Sequence, residues 1–213
     1  MENKWRQNMN RFRKDTRRDI LETTMQLILE RGVADVTVVD ITKMVGISRV
    51  TFYKHYNSIH EIAFDIQLRI LSEMIDAIDM QVSEGESGAE KLKNCLNASI
   101  NIFKTHQEQL RFIAIFDHSY RLAFPTLELQ EIYSEFILQF RKQFLDIILL
   151  GIKDNSLLEN SNPELLALTI THSLLGLMQR LATKHNHFST NSFDEDIMIL
   201  ENFTSLLIKS LVC

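Results

Sequence analysis

Apolar residues recur at helical spacing through almost the whole chain, three or four positions apart, so the pattern predicts helices and no strands. Ile20, Met25, Leu27, Ile28 and Leu29 mark a first helix that ends at Gly32. Two short helices fit between Thr37 and Tyr56. A long one follows Ser58, with Ile62, Ile66, Ile70, Met74 and Ile78 on one side, and Gly85 and Gly88 close it. Further helices are expected from Glu90 to Lys104, Glu108 to about Ser119, about Thr126 to Lys153, Glu164 to Lys184 and Phe193 to Leu211, nine in all.

Polar residues mark where these helices begin. A Ser or Thr followed three positions later by an acidic residue satisfies orphan N–H groups reciprocally. Such pairs stand at Thr16/Asp19, Thr37/Asp40, Ser58/Glu61, Ser87/Glu90, Thr105/Glu108 and Ser192/Glu195, the two ending in Asp being the weaker. Asn162 before Pro163 adds a seventh start, because proline at the first helical position gives up an N–H that has no partner anyway.

Composition narrows the class. Six Gly and two Pro in 213 residues are well below the ~12% of an average chain, too little punctuation for a sandwich or barrel. A hydrophobic share of 45% with 24% charged residues excludes disorder. No Gly- or Ser-rich linker is present, so a domain boundary lies inside or beside a shared helix. The longest uncharged stretch, Leu165 to Gln179, is 15 residues and carries Thr, His and Ser. It is short of the ~18 apolar residues of a membrane span, and reads as a core helix. No apolar segment follows the basic N-terminus, and the two cysteines, Cys95 and Cys213, make no disulfide framework. A cytoplasmic protein without a membrane partner is expected.

The stretch from Thr37 to Tyr56, TVVDITKMVGISRVTFYKHY, has the grammar of a helix-turn-helix. Thr37 caps a short helix whose Val38, Ile41 and Val45 face inward. Gly46 supplies the positive φ of the tight turn, Ile47 packs beneath it, and Ser48 caps a second helix bearing Arg49, Val50, Thr51, Tyr53, Lys54 and His55. These are the side chains of a groove reader. Arg49 reaches guanine or phosphate, Val50 and the Thr51 methyl meet a thymine methyl, and Tyr53, Lys54 and Tyr56 bind phosphate. Phe52 belongs to the core.

Residues 17 to 62 resemble the DNA-binding domain of the TetR (tetracycline repressor) family of bacterial transcriptional regulators. The resemblance rests on Ile20-Leu21, Leu27 and Gly32, then Thr37, Ile41, Gly46-Ile47-Ser48, Thr51-Phe52-Tyr53 and His55-Tyr56 before Ser58. It implies an all-α, nine-helix architecture. A helix-turn-helix domain of three helices, residues 1–57, joins a helical ligand-binding and dimerisation domain, residues 58–213. The residues expected to contact DNA are Arg17, Thr37, Lys43, Ser48, Arg49, Val50, Thr51, Tyr53, Lys54, His55 and Tyr56. Val50, Thr42 and Val45 stand where members commonly have small residues, so base preference is not carried over. Ile59 stands where members often have a lysine, which leaves His60 or the amides of that helix N-terminus to meet a phosphate.

A net charge of −5 speaks against a nucleic-acid partner only if it is spread evenly. It is not. Residues 1–56 hold 11 Lys and Arg against 7 Asp and Glu, net +4, and the remainder hold 12 against 21, net −9. The first eighteen residues carry seven basic side chains against two acidic, which suits a phosphate-binding arm or helix extension. Within it Trp5, Met9 and Phe12 stand at helical spacing; a frayed tail and a membrane-surface helix are the alternatives.

Aromatic residues cluster from Phe103 to Phe144. Such a stripe is usually core, but as a group it falls on the helices that line the family's ligand cavity. The expected effector contacts are Phe103, His106, Phe112, Phe116, Tyr120, Phe136, Phe140, Thr171, Leu174 and Met178. They suit a flat or aliphatic hydrophobic effector, or a lipophilic cation. The last two helices carry more apolar surface than a core needs, and the resemblance implies a two-fold dimer through Leu166, Ile170, Leu177, Leu181, Leu200, Phe203 and Leu207.

His185 and His187 stand two apart in a polar loop without a supporting ligand cluster, so no metal is expected, and no cofactor either. There is no Gly-rich phosphate loop, no Ser-His-acid set and no HExxH. The chain therefore reads as a homodimeric regulator, not an enzyme. It would bind a palindromic double-stranded DNA operator as a repressor and be released by a small hydrophobic or aromatic effector. An activator, an effector-less regulator, or a helical carrier or enzyme are the alternatives.

Overall fold

The computed structural model describes residues 2–159, 162–183 and 192–212, with side chains from residue 13 onward. The expectations attached to His185, His187, Cys213 and the side chains of Trp5, Met9 and Phe12 lie outside the described residues. Among the described residues the chain forms nine α-helices and no named strand: α1 (Glu2–Arg31), α2 (Val38–Val45), α3 (Arg49–Phe52), α4 (Ile59–Val82), α5 (Gly88–Thr105), α6 (Gln107–Tyr120), α7 (Leu127–Lys153), α8 (Pro163–Ala182) and α9 (Phe193–Leu211). A 3₁₀ turn, Val33–Asp35, follows α1.

Most of the helix starts are made by the side chains expected to make them. Reciprocal boxes close at Thr37/Asp40, Ser87/Glu90 and Ser192/Glu195. Ser58 Oγ accepts the Glu61 amide at 3.1 Å, while the Glu61 carboxylate accepts the Asn57 amide at 2.7 Å. Asn162 Oδ1 accepts the Leu165 amide at 3.0 Å ahead of Pro163. Two expected starts are not starts. Thr16 is buried inside α1, which runs unbroken from Glu2. Thr105 ends α5, and its hydroxyl donates to the Asn101 carbonyl at 2.8 Å, the back-bond a hydroxyl makes inside a helix.

The chain divides into two compact units. The first, Met1–Arg69 with Ile115–Gln130, is called the head. The second, Ile70–Ala114 with Glu131–Cys213, is called the body. The head thus takes in more than residues 1–57: the start of α4 and the end of α6 belong to it. Its core joins Ile20, Leu21, Leu27 and Ile28 of α1, Ile41 of α2, Phe52 of α3, and Ile62, Phe64 and Ile66 of α4.

In the body, α5 packs on α9 and α9 on α8. The α5 N-terminus rests against the end of α7. A Cβ added to Gly88 would lie 2.1 Å from the Gly151 nitrogen, so only glycine permits this approach. Asp154 Oδ2 accepts the Gly88 amide at 2.8 Å and Ser156 Oγ the Ala89 amide at 2.9 Å, so the loop after α7 caps α5. That loop is tied down again where Leu158 donates to the Leu211 carbonyl at 2.8 Å. By length and composition α8 could cross a membrane. It buries Ala167, Ile170, Leu174, Met178 and Leu181 along one face and leaves Leu165, His172 and Arg180 exposed, so that 33% of its apolar window is covered within this chain.

Candidate nucleic-acid interface

The local sequence sets the geometry of the helix-turn-helix. Thr37 Oγ1 accepts the Asp40 amide at 3.2 Å and Asp40 Oδ2 accepts the Thr37 amide at 3.1 Å. The Thr37 hydroxyl proton is committed to the same carboxylate at 2.5 Å. These hydrogen bonds, the hydroxyl's first, hold the Asp40 carboxyl below the usual carboxylate range. Gly46 then turns the chain at φ 75°, ψ 32°, with the Gly46 and Ile47 amides both donating to the Thr42 carbonyl at 3.0 Å. Ser48 Oγ accepts the Thr51 amide at 3.1 Å and starts α3.

The α-helical part of α3 is shorter than expected. It ends at Phe52, and Lys54 and His55 donate to the Thr51 and Phe52 carbonyls in a tightened turn. Phe52 is fully buried and anchors the element, while Arg49, Val50 (70% exposed), Tyr53 (54%) and Lys54 stand in solvent. Thr51 is half-buried; Ser48 and Lys43 are exposed. Val39 and Met44 of α2 are exposed as well. The sequence reading missed both, and their departure from the inward positions Val38, Ile41 and Val45 is the signal that could have found them.

Two expected contacts take other places. His55 is half-buried, and burial first, then the charges of Arg17, Arg13 and Lys54, push its imidazole below its ordinary value. At pH 7 it is therefore a neutral ring within a positive field rather than a cation for phosphate. Tyr56 is 2% exposed, a correction to its expected role. Its hydroxyl accepts from Arg17 Nε at 2.9 Å and donates to Asp65 Oδ2 at 2.5 Å, and no edge of the ring faces outward. Burial pushes its phenol well above the ordinary range.

Arg17 also donates from Nη2 to Asp65 Oδ2 at 2.8 Å, and its side chain stays about half exposed. Its Cζ lies 5.5 Å from the centre of the Tyr56 ring. The hydrogen bonds to Tyr56 and Asp65 raise the guanidinium further above its usual value, so its charge is permanent. His60, offered as a substitute phosphate ligand, has its Nδ1 2.9 Å from the Tyr120 hydroxyl. Tyr120 in turn packs with Phe64 and Phe116 at centroid distances of 4.8 and 4.7 Å.

The expected effector residues are dispersed. Phe116 and Tyr120 belong to the aromatic core of the head. In the body, Phe103 and Phe112 are fully buried and Leu174 and Met178 nearly so, packed into its core. His106, Phe136, Phe140 and Thr171 are half-buried. Of the whole set only Thr171 lines a described cavity, about 360 Å³ between α7 and α8, together with Leu138, Phe144, Leu145, Ala167, Leu168, Arg141, Lys142 and Glu164. A second cleft, about 640 Å³, lies between α5 and α9 and is edged by Lys93, Lys104, Lys209 and Glu201.

The expected dimer residues divide in the same way. Ile170, Leu181 and Leu200 are buried within the body and are not available to a second copy. Leu166, Leu177, Phe203 and Leu207 are half-buried, and the large apolar side chains that do stand exposed on these helices are Leu165, Phe193, Met198 and Leu206. Among the described residues no group of three metal-ligating side chains converges.

Residues 20–66 match the family model for bacterial regulatory proteins, tetR family. No protein of curated function matches the chain by sequence. Several solved structures share the fold across nearly its full length. The ketosteroid transcriptional regulator KstR2 of Mycobacterium tuberculosis aligns with a TM-score of 0.70 at 16% identity, over 92% of this chain and 95% of that one. AibR, solved in complex with isovaleryl coenzyme A and operator DNA, aligns at 0.69 and 16%, over 90% and 97%. The fatty acid degradation regulator FadR from Bacillus halodurans aligns at 0.70 and 17%, over 91% and 94%. At these identities the likeness is one of fold.

Proposed function

Because the chain carries a tetR-family head, we propose that it is a cytoplasmic DNA-binding regulator, a homodimeric repressor that a small apolar effector releases from its operator. The observation that carries the reading is the division of α3: a buried Phe52 fixes the element while Arg49, Val50 and Tyr53 stand free in solvent behind a Ser48 cap. In a major groove, Arg49 is the guanine reader and Val50 the thymine-methyl contact. Tyr53, Lys54, Lys43 and the α1 extension meet phosphate and fix register without reading sequence.

The acidic body suits effector binding and dimerisation. Exposed Leu165, Met198 and Leu206 favour a two-fold contact through α8 and α9, and a two-fold protein reads a palindrome. The α7–α8 cavity is apolar along Leu138, Phe144, Leu145, Ala167 and Leu168, with Arg141 and Lys142 beside it. That lining suits an acyl chain ending in an anionic group better than a flat aromatic or a cation. Two of the proteins that share the fold, a fatty acid degradation regulator and one solved with isovaleryl coenzyme A, point the same way. Effector binding would bias α4, the helix that follows the reading element, and so weaken DNA binding by the factor by which DNA weakens effector binding.

An anisotropy titration tests both halves. A labelled duplex that the protein recovers from a genomic pool should be bound by the wild type and lost by Arg49→Ala, and a medium-chain fatty carboxylate should release it. Equal binding by Arg49→Ala would remove α3 as the reading helix. A complex indifferent to every apolar carboxylate would remove the acyl effector.

A further inference from the structure

We propose that Asp65 is a positioning residue of the DNA interface: it orients Arg17, directly and through Tyr56, so that the guanidinium meets a phosphate in one fixed geometry. This rests on the DNA-binding reading given above. The three side chains come from three elements, Arg17 from α1, Tyr56 from just beyond α3 and Asp65 from α4. They close a triangle in which Arg17 Nε donates to the Tyr56 hydroxyl at 2.9 Å, Arg17 Nη2 to Asp65 Oδ2 at 2.8 Å, and the Tyr56 hydroxyl to that same oxygen.

The triangle satisfies the buried Tyr56 hydroxyl, but its ion pair adds little stability of its own. The Arg17 side chain is 55% exposed and Asp65 31%, and ion pairs that wet contribute little to folding. The triangle does restrict a long side chain. Two of the five guanidinium N–H groups are engaged by Tyr56 and Asp65, which leaves three for a further acceptor on a side chain that is 55% exposed. Arg17 shares a positive field with Arg13 and Lys54, the groups whose charges act together on His55, so it stands beside the reading element. A planar fork held in one rotamer loses less freedom on binding phosphate than a free arginine does.

The proposal makes a sign prediction that opposes simple electrostatics. A carboxylate near a phosphate backbone repels it, so replacing Asp65 with a neutral isostere should tighten binding if charge alone matters. If Asp65 positions Arg17, the same replacement weakens binding and frees a phosphate from its partner. The coupling also has a direction: Asp65 rides on α4, which continues to Val82, so any turn or slide of α4 at this level takes Arg17 with it or leaves the Tyr56 hydroxyl without its acceptor.

The test is the salt dependence of DNA affinity for wild type, Asp65→Asn, Arg17→Ala and the double variant, on a duplex the wild type recovers from a random-sequence pool. Asp65→Asn and Arg17→Ala should each lose affinity about tenfold and flatten the slope of log K against log salt by about 0.9, and the double variant should be no worse than Arg17→Ala. Tyr56→Phe, which keeps the ring and the carboxylate, should give a smaller loss of the same kind, and it answers the question if Asp65→Asn fails to fold. Tighter or unchanged binding by Asp65→Asn overturns the proposal, as does a loss of affinity with the slope unchanged and a lowered unfolding midpoint. A wild type that binds no duplex in a salt-dependent way overturns the DNA-binding reading itself, and the proposal with it.

Discussion

Phe52 and Tyr53 are neighbours in sequence and stand edge to face, ring centroids 5.3 Å apart and planes at 89°, one fully buried and the other half exposed. The pair separates what holds the reading element from what the element presents. Phe52→Ala should cost about 3–5 kcal/mol of stability, as loss of a buried aromatic does. Tyr53→Phe should leave the unfolding midpoint unchanged and weaken operator binding. Thermal unfolding and anisotropy on the same two variants check this, and a Tyr53→Phe protein with wild-type affinity would take the Tyr53 hydroxyl out of the interface.

The α1 helix begins at Glu2, so the basic N-terminus continues the helix instead of trailing from it. Removing residues 1–14 takes away Lys4, Arg6, Arg11, Arg13 and Lys14. Operator affinity should fall, and the log K against log salt slope should drop by about 0.9 for each phosphate that the extension neutralises. A truncated protein with the wild-type slope would show that this extension does not touch DNA.

Gly46 adopts φ 75°, and no atom lies within 4 Å of the place a Cβ would take, so a side chain there meets backbone strain and nothing else. Gly46→Ala should destabilise by about 1–2 kcal/mol, the usual cost of a left-handed L-residue. Gly46→Asn should cost less, because asparagine tolerates that region. Denaturant midpoints rank the two, and the reverse order would contradict the conformational argument.

Gly88 and Gly151 respond differently to the same substitution. Gly88→Ala would drive a Cβ into the Gly151 backbone at 2.1–2.2 Å, whereas Gly151→Ala meets only the Leu157 side chain, at 2.4 Å. Backbone cannot step aside as a leucine can, so Gly88→Ala should cost about 3 kcal/mol, the upper end of the usual overpacking range, and Gly151→Ala less. Denaturant unfolding of the two variants measures the gap.

Asp154 caps α5, and its carboxyl is held below the ordinary range by the Ser156 hydrogen bond first and the Gly88 amide next. A depressed folded-state pKa stabilises above the unfolded value of about 3.9 and ceases to do so as pH falls through the folded value. Asp154→Asn should therefore unfold at a lower temperature than wild type at neutral pH, with the difference closing in acid below about pH 4. A difference that persists unchanged into acid would mean the ionised carboxylate is not the capping species.

The parts of the fold that depend on neighbours in sequence are legible without the structure. Thr37, Gly46 and Ser48 act through backbone groups within four positions, so their residue types alone announce two caps and a turn. Tyr56 does not announce itself: a tyrosine has an apolar body and a polar tip, and only the arrival of Arg17 from 39 positions away and Asp65 from nine decides that it turns inward. Phe103 and Phe112 carry the same ambiguity, since a stripe at helical spacing is usually core but can also be pocket wall, and its neighbours decide. Ile170, Leu181 and Leu200 lie on helices with broad apolar faces, and sequence has no means of dividing such a face between the interior and a second copy.

The most direct test of the regulator reading is selection from a random-sequence DNA pool by the purified wild-type protein, run beside Arg49→Ala. The wild type should enrich an inverted repeat whose half-sites are centred one helical turn, about 34–36 Å, or a multiple of it apart, and Arg49→Ala should enrich no such motif. A wild-type pool without any enriched motif, or the same inverted repeat recovered by Arg49→Ala, would contradict the regulator reading.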